Sequence, residues 1–125
     1  MSTIQVNAIQ SSTGTQEVTQ TTIFSGTAKA WASYESSPST AFLQNFAISS
    51  LTDQGTGITD FNLSSSFAAS EYSLSDSGGD SNGGYASWTN EANIVVGSYR
   101  LQTGNASFGA QDTTYHSGQA FGDLA

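Results

Sequence analysis

A chain of 125 residues, 36% hydrophobic and 11% aromatic, is long enough for one domain with a sizeable core. Ten acidic residues against two basic ones, Lys29 and Arg100, give a formal net charge of −8. That balance argues against a nucleic-acid backbone or an anionic membrane as partner. The absence of cysteine removes disulfides and thiolate metal sites. No apolar run approaches the roughly 20 residues a spanning helix needs, so no membrane insertion is expected. Nor does the N-terminus have the basic start and apolar core of a signal peptide, so synthesis in a cytoplasm without secretion is expected.

In chain order, residues 1–26 stand apart. Ile4, Val6 and Ala8 alternate, and Ser11 to Thr22 is almost wholly polar, small or β-branched. Such a stretch cannot make a core alone, and helix formers are scarce in it. It reads as an extended arm that docks on a larger assembly or intertwines with identical chains, with Ile4, Val6 and Ile9 as its attachment side chains. Gly26 marks a boundary, and residues 27–125 read as a β-sandwich knob.

Thr27 to Tyr34 is the first strand of the knob, with Trp31 a candidate for the core. Pro38 presets a turn between Glu35 and Ser39. Thr40 to Leu51 reads as one strand in which Phe42, Phe46 and Ile48 share a face, and a bulge near Ser49-Ser50 reconciles Ile48 with Leu51. Thr52 to Gly57 is a turn, where Asp53 can bond its own backbone and two glycines tolerate positive φ. Phe61 and Leu63, then Tyr72 and Leu74, resume the period of two, so Phe46 to Leu74 reads as a three-strand meander. Ser75 to Gly84 is a polar loop. Tyr85 to Trp88 and Ile94 to Leu101 are strands, with Gly97 switching parity inside the second. Thr103 to Gly109 is another turn, and Tyr115 to Phe121 is the last strand. Seven or eight short strands with Gly- and Asn-rich turns predict an all-β, antiparallel β-sandwich.

Few residues suggest chemistry. His116 is the only histidine. Its neighbour Asp112 has no fixed geometry on extended backbone, so an exposed or inter-chain position is expected; in a trimer, three copies meeting on the axis would be the way for it to hold a metal. Asp76, Asp80, Asn82 and Gly83 form a fragment of a calcium loop without its bidentate Glu. No Ser sits in a nucleophile elbow, no Gly-rich phosphate cradle precedes a helix, and no pair of carboxylates stands out for glycoside hydrolysis. Neither catalysis nor a cofactor is expected. Tyr85, Trp88 and Tyr99 flank the glycine-rich loop, and flat rings beside hydroxyls and amides suit a sugar; packing in the core is the plainer role for Trp88.

Several stretches resemble a known group. TAKAWASY at Thr27 to Tyr34 is similar to the AKAW opening of a domain at the ends of tail-fibre and other structural proteins of marine bacteriophages, cyanophages among them. The run SSLTDQGTG at Ser49 to Gly57 is similar to that family's SS-hydrophobic-TD-x-GTG core. SFAASEYSL at Ser66 to Leu74, RLQTGNAS at Arg100 to Ser107 and QAFGD at Gln119 to Asp123 resemble its later motifs, and MSTIQVNAI its openings. The resemblance implies a virion structural protein of tail-fibre type and a homotrimer; in that reading the arm holds it to other virion proteins, and the ring trio offers contact to a host-surface glycan. A capsid decoration protein is the alternative. His116, Ser117 and Gly118 depart from the family's more apolar last strand, which is therefore expected to be looser or more exposed.

Overall fold

The computed structural model describes residues 6, 8–14, 17–79, 86–105, 107 and 109–125. The fold is all-β, with antiparallel pairing throughout. After a hairpin, β1 (Ala8–Gln10) with β2 (Glu17–Thr19), and a helix, α1 (Gln20–Gly26), come the strands of two larger sheets. One has the order β5-β6-β10-β8, with β9 also pairing β10: β5 is Ile48–Gly55, β6 Ile58–Leu63, β8 Ala86–Trp88, β9 Ile94–Val95 and β10 Ser98–Gly104. The other has the order β4-β3-β11-β7: β3 is Ala30–Glu35, β4 Ala41–Phe46, β7 Ser73–Gly79 and β11 Tyr115–Phe121. The described residues thus hold eleven strands rather than seven or eight.

Alternation decides what each strand buries. Strand β3 turns Ala30, Ala32 and Tyr34 inward, β10 turns Tyr99, Leu101 and Thr103 inward, and β11 turns His116, Gly118 and Ala120 inward. The inward faces of the two sheets meet. Tyr34 of one sheet stands edge-on to Phe61 of the other, with ring centroids 5.0 Å apart, and Phe61 stacks on Tyr99 at 4.8 Å. A Cβ at Gly118 would lie 3.0 Å from Leu101 Cδ1, so glycine lets β11 approach the facing sheet. At one end Phe67 stacks on Tyr72, and the Tyr72 hydroxyl donates to the carbonyls of Val95 and Ser98 at 3.0 and 2.9 Å.

Several expectations are corrected. Trp31 is not in the core: the alanines of β3 face inward, and Trp31 takes the outer face. Thr40 to Leu51 is not one strand. Ala47 adopts a positive φ of 56°, and the chain leaves one sheet there and enters the other. Hence Ile48 is buried while Phe46 is 56% exposed. The bulge is where the pattern placed it, since the register of β5 on β6 shifts between Ile48 and Ser50. The stretch Phe46 to Leu74 is a hairpin plus a crossover, not a meander. After β6, Phe67 N–H bonds Val96 O and Ala68 N–H bonds Asp123 O, both at 2.8 Å, and the chain passes to β7 in the opposite sheet. The first part of the polar loop, Ser75 to Gly79, is strand, because a ladder with β11 uses backbone groups that small side chains leave accessible. Ile94 to Leu101 is a tight hairpin, β9 to β10, with Val96-Gly97 at its turn.

The N-terminal stretch does not run extended through residues 8–26. Gly14 N–H bonds Ser11 O at 2.9 Å and closes the hairpin in which Ile9 pairs with Val18. Thr19 then caps the seven-residue helix, its hydroxyl accepting from Thr22 N–H at 3.2 Å. A turn and a cap, rather than helix propensity, shape this stretch.

Candidate functional site

The N-terminal hairpin and helix put apolar side chains outside any core. Val6, Ile9, Val18, Ile23 and Phe24 are between 40 and 58% exposed. Ile4 lies outside the described residues. The end of α1 is tied to the start of the knob: Thr27 Oγ1 donates to Ile23 O at 2.6 Å, and Lys29 Nζ donates to Phe24 O. Both bonds satisfy carbonyls that a helix end leaves open, and a cation suits that end of the helix dipole. The Lys29 ammonium also lies 5.3 Å from the centre of the Phe24 ring. Beside this junction a cleft of about 410 Å³ opens, lined by Ala28, Ala30, Phe46, Ala47, Phe67 and Leu124 among others. Phe46 and Leu124 are themselves half exposed. The end of the helix and the cleft therefore place apolar surface at the start of the knob.

The ring trio proposed for a sugar does not converge. Tyr99 is 1% exposed and stacked on Phe61, so it offers no face to a ligand. Trp88 pairs with Gln102, which places it on the outer side of the same sheet, opposite to Tyr99. Its ring covers Gly104, where a Cβ would come within 2.7 Å of it. Tyr85 lies outside the described residues. A period of two was the available signal: Tyr99 shares a face with Leu101, and both are core.

The polar groups around Trp88 on that outer face bond one another. Arg100 donates through Nε to Asp60 Oδ1 at 2.5 Å and through its other arm to Oδ2 at 3.0 Å. Gln54 donates to the same carboxylate at 2.8 Å, and Asn62 donates to Ser50 and Thr52 hydroxyls, both at 3.0 Å. The Asp60 hydrogen bonds push the Arg100 guanidinium's pKa further up, so the guanidinium stays charged.

His116 is neither exposed nor in a loose strand. It is fully buried in β11, between β3 and β7, against Tyr34 at 5.6 Å between ring centres. A Cβ at Gly78, directly across the ladder, would sit 2.1 Å from His116 Nδ1, so the imidazole fits only beside glycine. His116 Nε2 faces both Ser87 Oγ at 3.4 Å and Asp76 Oδ2 at 3.5 Å, while Nδ1 has no partner. A nucleophile relay needs the serine and the carboxylate on opposite ring nitrogens. Here both crowd one, so this trio cannot pass a proton from Ser87 through the ring to Asp76. Burial also removes the shared metal on a trimer axis. Asp112 does not approach His116; its carboxylate accepts from Gly57 N–H at 2.6 Å and holds the β5–β6 turn. Among the described residues no group of three or more His, Asp or Glu side chains is placed to hold a metal ion. Asp80, Asn82 and Gly83 lie outside those residues.

Burial sets the tyrosines' ionisation. It pushes Tyr34 and Tyr72 up to about 12, with the Thr59 hydrogen bond opposing the shift at Tyr34. Tyr99 is pushed up as well, by burial first and by neighbouring Tyr72 and Tyr34 next. Compared with known protein families, curated proteins and solved structures, the chain matches none.

Proposed function

We propose that this chain is a non-catalytic bacteriophage structural subunit of tail-fibre type, held to a larger virion assembly through its N-terminal segment. The observation that carries the anchoring is the exposed apolar set Val6, Ile9, Val18, Ile23 and Phe24 of the N-terminal segment, together with the cleft at Phe46 and Leu124 at the start of the knob. So many exposed apolar side chains on one short segment mark an interaction site more often than a bare solvent face. The virion context rests on the motif resemblance of Ser49 to Gly57 and of the flanking stretches. In this reading the knob projects while the N-terminal end is covered by neighbouring subunits, identical copies in a homotrimer among them.

The test is incorporation. A tagged chain is expected to co-purify with particles, and a chain lacking residues 1–26 to fold but stay behind. Antibody labelling of the tail supports the fibre reading; uniform labelling of the head supports the decoration alternative. If the truncated chain still incorporates, or the full chain never accompanies particles, the anchoring reading is wrong.

A further inference from the structure

The outer face of the four-stranded sheet carries an arrangement of which the anchoring reading uses only Phe46, at its edge. Alternation puts Trp31, Ser33 and Glu35 of β3 on this face, together with Tyr115, Ser117 and Gln119 of β11. The registers then line up rows across the strands. One row reads Phe46, Trp31, Gln119, Ser75; the next reads Gln44, Ser33, Ser117, Ser77. Tyr115 stands beyond them, opposite Gly79. Directly paired Trp31 and Phe46 form one aromatic platform, since opposed side chains in a sheet sit about 5 Å apart. Tyr115 is displaced from Trp31 by about 13 Å along the strands, four residues at about 3.3 Å each. Phe46 and Tyr115 are about half exposed.

We propose that this face binds a neutral polysaccharide, with Trp31, Phe46 and Tyr115 as stacking platforms and the serine and glutamine rows between them bonding sugar hydroxyls. The chemistry of the face selects that ligand. Hydroxyls and amides both donate and accept, as sugar hydroxyls require. Glu35 is the one charged side chain these strands place here, among the described residues, and the chain's net charge of −8 repels polyanions. On the opposite outer face Asn62, Asp60 and Arg100 are bonded to neighbours; on this one the Ser77 and Ser117 hydroxyls bond each other at 3.0 Å, while Gln44, Gln119, Ser33 and Ser75 have no side-chain hydrogen bond to another described residue.

Phe46 is shared with the anchoring cleft, so the test rests on Trp31 and Tyr115 and uses the free, full-length chain. Native electrophoresis is run through gels containing dextran, mannan, galactan, xylan or a mixed-linkage β-glucan, with alginate as the polyanion control. Retardation is expected in at least one neutral gel and not in alginate, with quenching or enhancement of tryptophan fluorescence. Trp31→Ala and Tyr115→Ala are each expected to weaken binding at least tenfold, and Trp88→Ala, on the other sheet, to leave it unchanged. Circular dichroism and the unfolding midpoint of Tyr115→Ala, a half-exposed site, check that its fold persists. The proposal is overturned by free migration in every neutral gel, by binding that Trp31→Ala and Tyr115→Ala leave intact, or by retention in alginate alone. It is equally overturned if sedimentation shows an oligomer that Tyr115→Ala dissociates, since the face is then a contact between copies.

Discussion

Tyr99 and His116 are two of the described residues whose buried polar atoms the fold leaves without partners, and each makes a sharp test. The Tyr99 hydroxyl is buried with no partner, near the backbone of Gly118. Tyr99→Phe removes an orphaned group, so stability should stay level or rise by up to about 1 kcal/mol. Tyr72→Phe removes a hydroxyl that bonds two carbonyls and should cost about 1 kcal/mol. Urea unfolding of the two variants distinguishes them by opposite shifts in midpoint. His116 and Gly78 form the second test. Gly78→Ala presses a methyl group into the imidazole and should destabilise by about 1–3 kcal/mol, as overpacking does. In the Gly78→Ala, His116→Ala pair the clash is gone, so the combined loss should fall short of the sum of the single losses. Additive losses would mean that the imidazole does not fill the space opposite Gly78.

At the scale of one element, the β5–β6 hairpin shows why two glycines in one turn are not equivalent. Gly55 has φ 127° and no neighbour within 4 Å of an added Cβ. Gly57 has φ 67°, and its Cβ would lie 2.4 Å from Thr103 O and 2.7 Å from Gln111 N. Its own carbonyl accepts from Thr103 N–H at 2.7 Å and its N–H donates to Asp112. The turn is thus clamped between β10 and the segment that leads to β11. Gly55→Ala should cost about 1–2 kcal/mol from backbone strain alone, whereas Gly57→Ala adds a backbone clash and should cost more than about 3 kcal/mol. Thermal unfolding ranks them; equal melting points would show that the clamp yields. The strain at Gly55 and the Asx bond from Gly55 N–H to Asp53 at 2.8 Å were both legible in the TDQGTG run. The clamp was not, since Thr103 and Gln111 lie some fifty residues away in the chain.

Across the whole molecule the core is built from aromatic rings contributed by both sheets, and three of them carry ionisable hydroxyls. Tyr34 and Tyr72 hold pKa values near 12, and Tyr99 is raised further, against about 10 for an exposed phenol. A raised phenol binds its proton more firmly folded than unfolded. Its contribution is therefore complete below pH 10 and is lost as pH climbs from 10 through 12. Tyr34 and Tyr99 should each remove about 1.4 kcal/mol per pH unit in that window, and Tyr72 less, because solvent screens its hydroxyl. Urea midpoints that stay constant from pH 8 to 11.5 would contradict this account of the core. The slope should be shallower in Tyr99→Phe.

The same scale separates what was readable from what was not. Alternating side chains and turn chemistry by themselves determined the all-β class, the existence of a turn within Thr52 to Gly57 and the bulge beside Ser49, because each depends on neighbours within a few residues; that Thr52 to Gly55 belong to strand β5, leaving only Thr56 and Gly57 to turn, they did not. Which side of a strand is the inside was not determined locally. In β3 the small alanines and Tyr34 face inward and the large Trp31 outward, because Phe61, Tyr99 and Leu101 already fill the space between the sheets. That placement moved Tyr99 out of any surface and left Trp31, Phe46 and Tyr115 on one. The transfer of the chain between sheets at Ala47 and the burial of His116 beside Gly78 were likewise decided by tertiary structure. Each depends on contacts or a backbone conformation that side-chain alternation does not encode, and only the closed pair of sheets specifies them.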